Sequence, residues 1–173
     1  MALIKGNTYR LLLFPLFILS LSVWFTGCYS FQGASIPPDV STFSVGFFEN
    51  KAATINPKLS QLVTEKLKDK LNNTRLEFVR GKGDFDFEGT ITNYTVAPIA
   101  VQGDANASKN RLTIGMNVRF VCVKYPEKNF TSDFSSFQDF DATKNFSTLE
   151  SSLVQDITDQ LIQEIFNKAA VNW

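Results

Sequence analysis

The sequence contains no histidine and two cysteines among its 173 residues. Without histidine, the commonest general base and the commonest metal ligand are both missing. An excess of charge of one sign is missing too, since 17 Lys and Arg balance 17 Asp and Glu. A chain this close to neutral has no global field to draw in nucleic acid, so any anionic partner must be met by a local patch. Nor does any apolar run reach the roughly 20 residues that a membrane-crossing helix requires. The longest, LLLFPLFILSLSVWFTGC over 11–28, is interrupted by Pro15. Acidic residues are absent before Cys28, whereas Lys5 and Arg10 stand in front of the apolar run.

What is present at the start is a positive segment, an apolar stretch of roughly 15 residues and a small-residue site, the three parts of a secretory signal. Phe25-Thr26-Gly27-Cys28 resembles a bacterial lipobox, with Phe25 where Leu is usual. In such sequences cleavage falls before the cysteine, whose sulfur receives a diacylglycerol and whose new amine is acylated. The expected organisation is a signal over 1–27, lipidation at Cys28, a lipidated tether over 28–41 and a single α+β domain over 42–173. The chain would then be anchored to a membrane through its N-terminal lipid, without spanning it. A domain of this length can bury about two-thirds of its unfolded surface in one core. With Cys28 lipidated, Cys122 has no disulfide partner. It lies in LTIGMNVRFVCV in phase with Leu112, Ile114, Met116, Val118 and Phe120, which predicts a small core hydrophobe.

Residues 29–41 include Pro37 and Pro38, which favour extended backbone. The alternation of Phe43, Val45 and Phe47 predicts a strand over 42–48, and 49–55 reads as a loop. Asn56 and Pro57 then suit a helix cap and first helical position, followed by the apolar stripe Leu59, Leu62, Val63, Leu67 and Leu71. Strands are predicted over 76–79, 85–99, 111–123 and 129–140. A phase change near Asn93 predicts a bulge, and Phe137 and Phe140, out of step with Phe130 and Phe134, suggest another. The closing helix carries Leu149, Leu153, Ile157, Leu161, Ile165 and Ala169 at four-residue spacing, with Ser147 and Glu150 spaced as a capping box. The order β-α-β-β-β-β-α predicts an α+β fold: a mostly antiparallel sheet of about four to five strands with two helices packed on one face.

Little in this pattern assembles chemistry. Asp84, Asp86 and Glu88 alternate along one strand, a spacing that can serve acid–base work but more commonly forms a solvated face. Gly81 and Gly83 do not open a helix after a strand, so a phosphate loop is not indicated. The expectation is therefore no catalytic residue, no metal site and no cofactor. Two features suit binding. Lys109 and Arg111 in the loop 102–111, with Lys124 and Lys128 at the opposite-strand turn, are candidate contacts for an anionic ligand or partner. If their strands pair as a hairpin, the two sets lie at opposite ends of it. The second feature is apolar residues on strand faces left bare by the helices, with Phe48, Tyr94, Val121 and Phe137 as candidates.

The segments YSFQGASIPPDVSTFSVGFFENKA, FEGTITNYTVAPIAVQG, NRLTIGMNVRF, FSSFQDFDATKNFS and IFNKAAVNW, in this order, resemble the LptE-type lipopolysaccharide-assembly lipoproteins. The resemblance implies a non-catalytic domain at the inner leaflet of a Gram-negative outer membrane, on its periplasmic side. Its implied partners are an LptD-like outer-membrane β-barrel, as plug and assembly partner, and lipopolysaccharide on its way outward. No ligand-contacting residue carries over from it. A second reading is a free periplasmic lipoprotein that binds or shuttles an amphiphile, which calls for an apolar pocket on the order of several hundred Å³. A third, an envelope hydrolase, calls for a cleft with perturbed titratable groups.

Overall fold

The computed structural model describes residues 36–99, 108–171 and 173. The predicted signal, Cys28 and most of the loop 102–110 lie outside the described residues. In chain order the elements are β1 (Thr42–Val45), β2 (Glu49–Asn50), α1 (Leu59–Asn72), β3 (Glu77–Phe78), β4 (Phe85–Ile99), β5 (Lys109–Cys122), a 3-10 turn (Pro126–Lys128), β6 (Phe130–Asp141) and α2 (Phe146–Ala170). The sheet runs β3-β1-β4-β5-β6, and β2 also pairs with β4.

The α+β architecture is the expected one, but the sheet is mixed. The three long strands form an antiparallel ladder, whereas β1 runs parallel to β3 and β4, and β2 parallel to β4. Parallel pairing follows from connectivity. Strands β1 and β3 lie side by side with α1 between them in sequence, and a helical crossover returns the chain in its original direction. Strand β2 falls in the segment expected to be a loop. It extends the β4 edge past the end of β1, with Lys51 N–H donating to the Ile91 carbonyl at 2.9 Å.

Alternation sorts the long strands into two faces. Phe85, Phe87, Ile91, Leu112, Ile114, Met116, Val118, Phe120 and Cys122 point inward and are buried. The two helices meet this side through Leu59, Val63, Leu67 and Leu71 of α1 and Ile157, Leu161 and Ile165 of α2. Rings of Phe85, Phe87 and Phe120 pack edge-on or tilted, and Trp173 stacks on Phe85 at 5.5 Å. Burial also raises the pKa of the Cys122 thiol, as suits a core residue.

Several local expectations resolve differently. The bulge near Asn93 is present, as a register shift between Ile91 and Asn93 that turns Tyr94 inward. No second bulge occurs: β5 and β6 pair without a break from Phe120↔Phe130 to Lys109↔Asp141. Phe137 is out of step because it belongs to the outer face. Phe48 is fully buried, its ring lying over Gly89, where an added Cβ would come within 2.1 Å of it. Helix α1 starts at Leu59, and Asn56 accepts from Lys58 N–H at 3.0 Å in the turn before it. Helix α2 is capped by Asn145, which accepts from Ser147 N–H at 3.0 Å, so Ser147 is not the cap and Glu150 is released for another contact.

Candidate functional site

The outer sheet face is built from the alternate residues of the same three strands. Glu88 and Thr90 of β4 stand beside Arg119 and Asn117 of β5, which stand beside Thr131 and Asp133 of β6. Cross-strand polar contacts run along it. Arg119 pairs with Glu88 at 2.9 Å, and Asn117 donates to Asp133 at 2.7 Å. Arg111 forks onto Asp139 at 2.7 and 3.0 Å, a hydrogen-bonded pair that raises the arginine pKa and lowers that of the aspartate. Phe137 is the large apolar residue of this face, 47% exposed, with the Arg111 guanidinium 3.6 Å above its ring. Among the described residues no helix covers this side.

The four basic candidates do not meet. Lys109 and Arg111 sit at one end of β5, and Lys124 and Lys128 just past the other, about 45 Å away at ordinary strand rise. Arg111 is committed to Asp139. Lys124 hydrogen-bonds the Asp39 carbonyl and lies 3.3 Å from Asp84, while Lys128 lies over the Trp173 ring at 5.4 Å. Lys109 is exposed. Of the apolar candidates, Val121 and Phe137 are on the outer face, but Phe48 and Tyr94 are not: both turn into the core.

Each alternating carboxylate has a structural partner. Glu88 pairs with Arg119, and buried Asp86 accepts from the Ser44 hydroxyl at 2.6 Å. Asp84 accepts from Ser41 N–H at 2.8 Å and Thr42 N–H at 3.1 Å. Those backbone bonds, Ser41 first, together with Lys124, hold its pKa at about 2 despite partial desolvation. Because the folded value lies below the ordinary one, Asp84 adds stability above about pH 4 and loses it as pH falls toward about 2. Asp84→Asn should flatten that part of a melting-temperature profile against pH. The same end of the domain holds residues 36–41, expected to belong to the tether. Arg75 donates to the carbonyls of Ile36, Pro37, Pro38 and Val40, and Tyr125 to the Asp39 carboxylate.

At the opposite end, the starts of α1 and α2 border a groove of about 520 Å³. Its walls include Ile55, Pro57, Leu62, Phe146 and Val154. On its floor Glu150 Oε1 accepts from the Tyr94 hydroxyl at 2.5 Å and from Asn56 Nδ2 at 2.9 Å. Burial, then the Glu150 carboxylate, push the Tyr94 pKa up to about 12, so its hydroxyl stays a donor at neutral pH.

The family model described as "LptE: Lipopolysaccharide-assembly" matches residues 40–169. The chain belongs to the LptE lipopolysaccharide-assembly family. No curated protein sequence matches it. Among solved structures, a Helicobacter pylori protein described as a homologue of neuraminyllactose-binding hemagglutinin is 10% identical, covering 82% of this chain and 89% of that one, with a TM-score of 0.52. A hypothetical protein from Chlamydia trachomatis is 8% identical over 77% of this chain and 98% of its own, at TM-score 0.50. A minor lipoprotein from Acinetobacter baumannii is 13% identical over 75% and 91%, at 0.49. At such identities the first two likenesses show the fold alone.

In this LptE-family chain no described helix is long and apolar enough to cross a membrane. Sequence reasoning missed the groove. In the sequence Asn56 and Glu150 both read as helix-start residues, and Tyr94 as one on an exposed strand face. Only the bulge that turns Tyr94 inward offered a signal for their meeting.

Proposed function

We propose that the chain is a non-catalytic outer-membrane lipoprotein, anchored through Cys28, that serves lipopolysaccharide assembly as plug and partner of an LptD-like β-barrel. The observation that carries this reading is the bare outer sheet face. Its rows of Thr, Asn, Ser and paired charges suit the polar lumen of a barrel, where an apolar surface would not. Membership of the LptE family supports the process, and the polar face supports the mode of contact. The test places a photocrosslinking residue at Asn117 or Thr113 of the lipidated chain in outer membranes. A crosslink to a large barrel protein is expected from both positions and not from Gln163, which is exposed on α2, on the helix side of the domain. Purification of monomer alone, with the barrel present and intact, would overturn the reading.

The groove favours a second reading, in which the same chain binds an amphiphile. Its volume falls in the range of small-molecule sites, and its walls are largely apolar around a small polar centre.

A further inference from the structure

We infer that the groove between the helix starts binds a primary ammonium carried on an apolar tail, with Glu150 as the acceptor; this rests on the amphiphile reading. Oxygen Oε1 of Glu150 is already occupied by Tyr94 and Asn56, which fixes the carboxylate in place. Its other oxygen accepts no hydrogen bond from the described residues, and no Lys or Arg among them forms an ion pair with it.

Ligand classes can then be ranked by what they do to that oxygen. An anion would meet a like charge, and the Tyr94 hydroxyl already donates its hydrogen bond to Glu150. An uncharged apolar ligand would strip water from a carboxylate oxygen and return nothing. An ammonium supplies opposite charge and up to three donors, in the charge-assisted pairing that is the stronger kind. Its tail would cover Ile55, which is 64% exposed, together with Leu62 and Val154. Lys58 stands exposed at the rim. An occupant must therefore enter head first, with the ammonium passing to the floor and the tail left near the mouth.

The probes are n-butylammonium, butyrate and n-butanol, short enough to stay out of detergent. Each is titrated into the full lipidated chain while backbone and methyl NMR shifts of Leu62 and Val154 are followed. The expected result is saturable shifts with butylammonium, affinity at least ten-fold weaker for butyrate, and an intermediate value for butanol. Glu150→Gln should cost butylammonium about ten-fold and leave butanol unchanged. Gln155→Lys adds a cation at the groove wall without touching the floor, and should weaken butylammonium by about five-fold. It serves as the test if Glu150→Gln fails to fold. Butanol binding in the groove with no preference for the ammonium would overturn the inference and spare the amphiphile reading. Shifts from no probe, or only outside the groove, would overturn both.

Discussion

Cys28→Ala is expected to remove all acyl chains from the protein and to eliminate it from the outer membrane. Each buried acyl methylene contributes about 0.8 kcal/mol, so one chain binds marginally, while two or more anchor the protein stably. The basic segment, the apolar run and the Gly27-Cys28 junction are the features on which this sulfur is proposed as the attachment point. Alanine there denies the chain both the lipid and the cleavage that follows lipidation, so the variant should accumulate as uncleaved precursor. Mass spectrometry of the native product reads the result directly. The expected mass is that of a chain beginning at Cys28 and carrying acyl groups; a bare thiol at Cys28 would sink the anchor and, with it, the placement at the membrane.

The fold was legible wherever one period ran uninterrupted. Leu59, Val63, Leu67 and Leu71 declare α1, and Leu112 to Cys122 declare β5, because burial on a single face imposes a period on the sequence itself. The bulge before Tyr94 was legible for the same reason, since it shifts a phase. Strand direction was not: β1 and β3 are four and two residues long, and nothing local records whether neighbours run parallel or antiparallel. Phe137 misled because aromatic character alone does not say which face it occupies. Strand alternation places it outside, where Arg111 of the neighbouring strand lies over its ring. The groove was hidden more thoroughly. Asn56 and Glu150 have ordinary local uses at helix starts, and their shared bond spans 94 residues of sequence. Of the basic candidates, pattern gave the correct opposite ends of β5 but not that Arg111 and Lys124 are already engaged within the fold.

Two glycines in one turn should respond very unequally to alanine. At Gly83 an added Cβ would lie 2.6–2.9 Å from the backbone atoms of Phe43, and backbone in a paired strand cannot swing aside as a side chain can. At Gly81 nothing lies within 4 Å of the same added atom. Gly83→Ala must therefore lift the turn from β1, breaking the bond from Gly83 N–H to the Ser44 hydroxyl and loosening the grip of Asp84 on Ser41 and Thr42. Overpacking of this kind costs about 1–3 kcal/mol, and the lost charge-assisted bonds add to it, so a total of about 3 kcal/mol or more is expected. For a domain of this size that lowers the melting temperature by roughly 10 °C, whereas Gly81→Ala should stay within about 0.5 kcal/mol of the parent. The measurement is a pair of denaturant or thermal unfolding curves. Equal stability of the two variants would show that the turn does not press on β1 as described. A selective loss for Gly83→Ala should also weaken hydrogen-exchange protection at Ser41 and Thr42, where the chain enters the domain from the side of the predicted anchor.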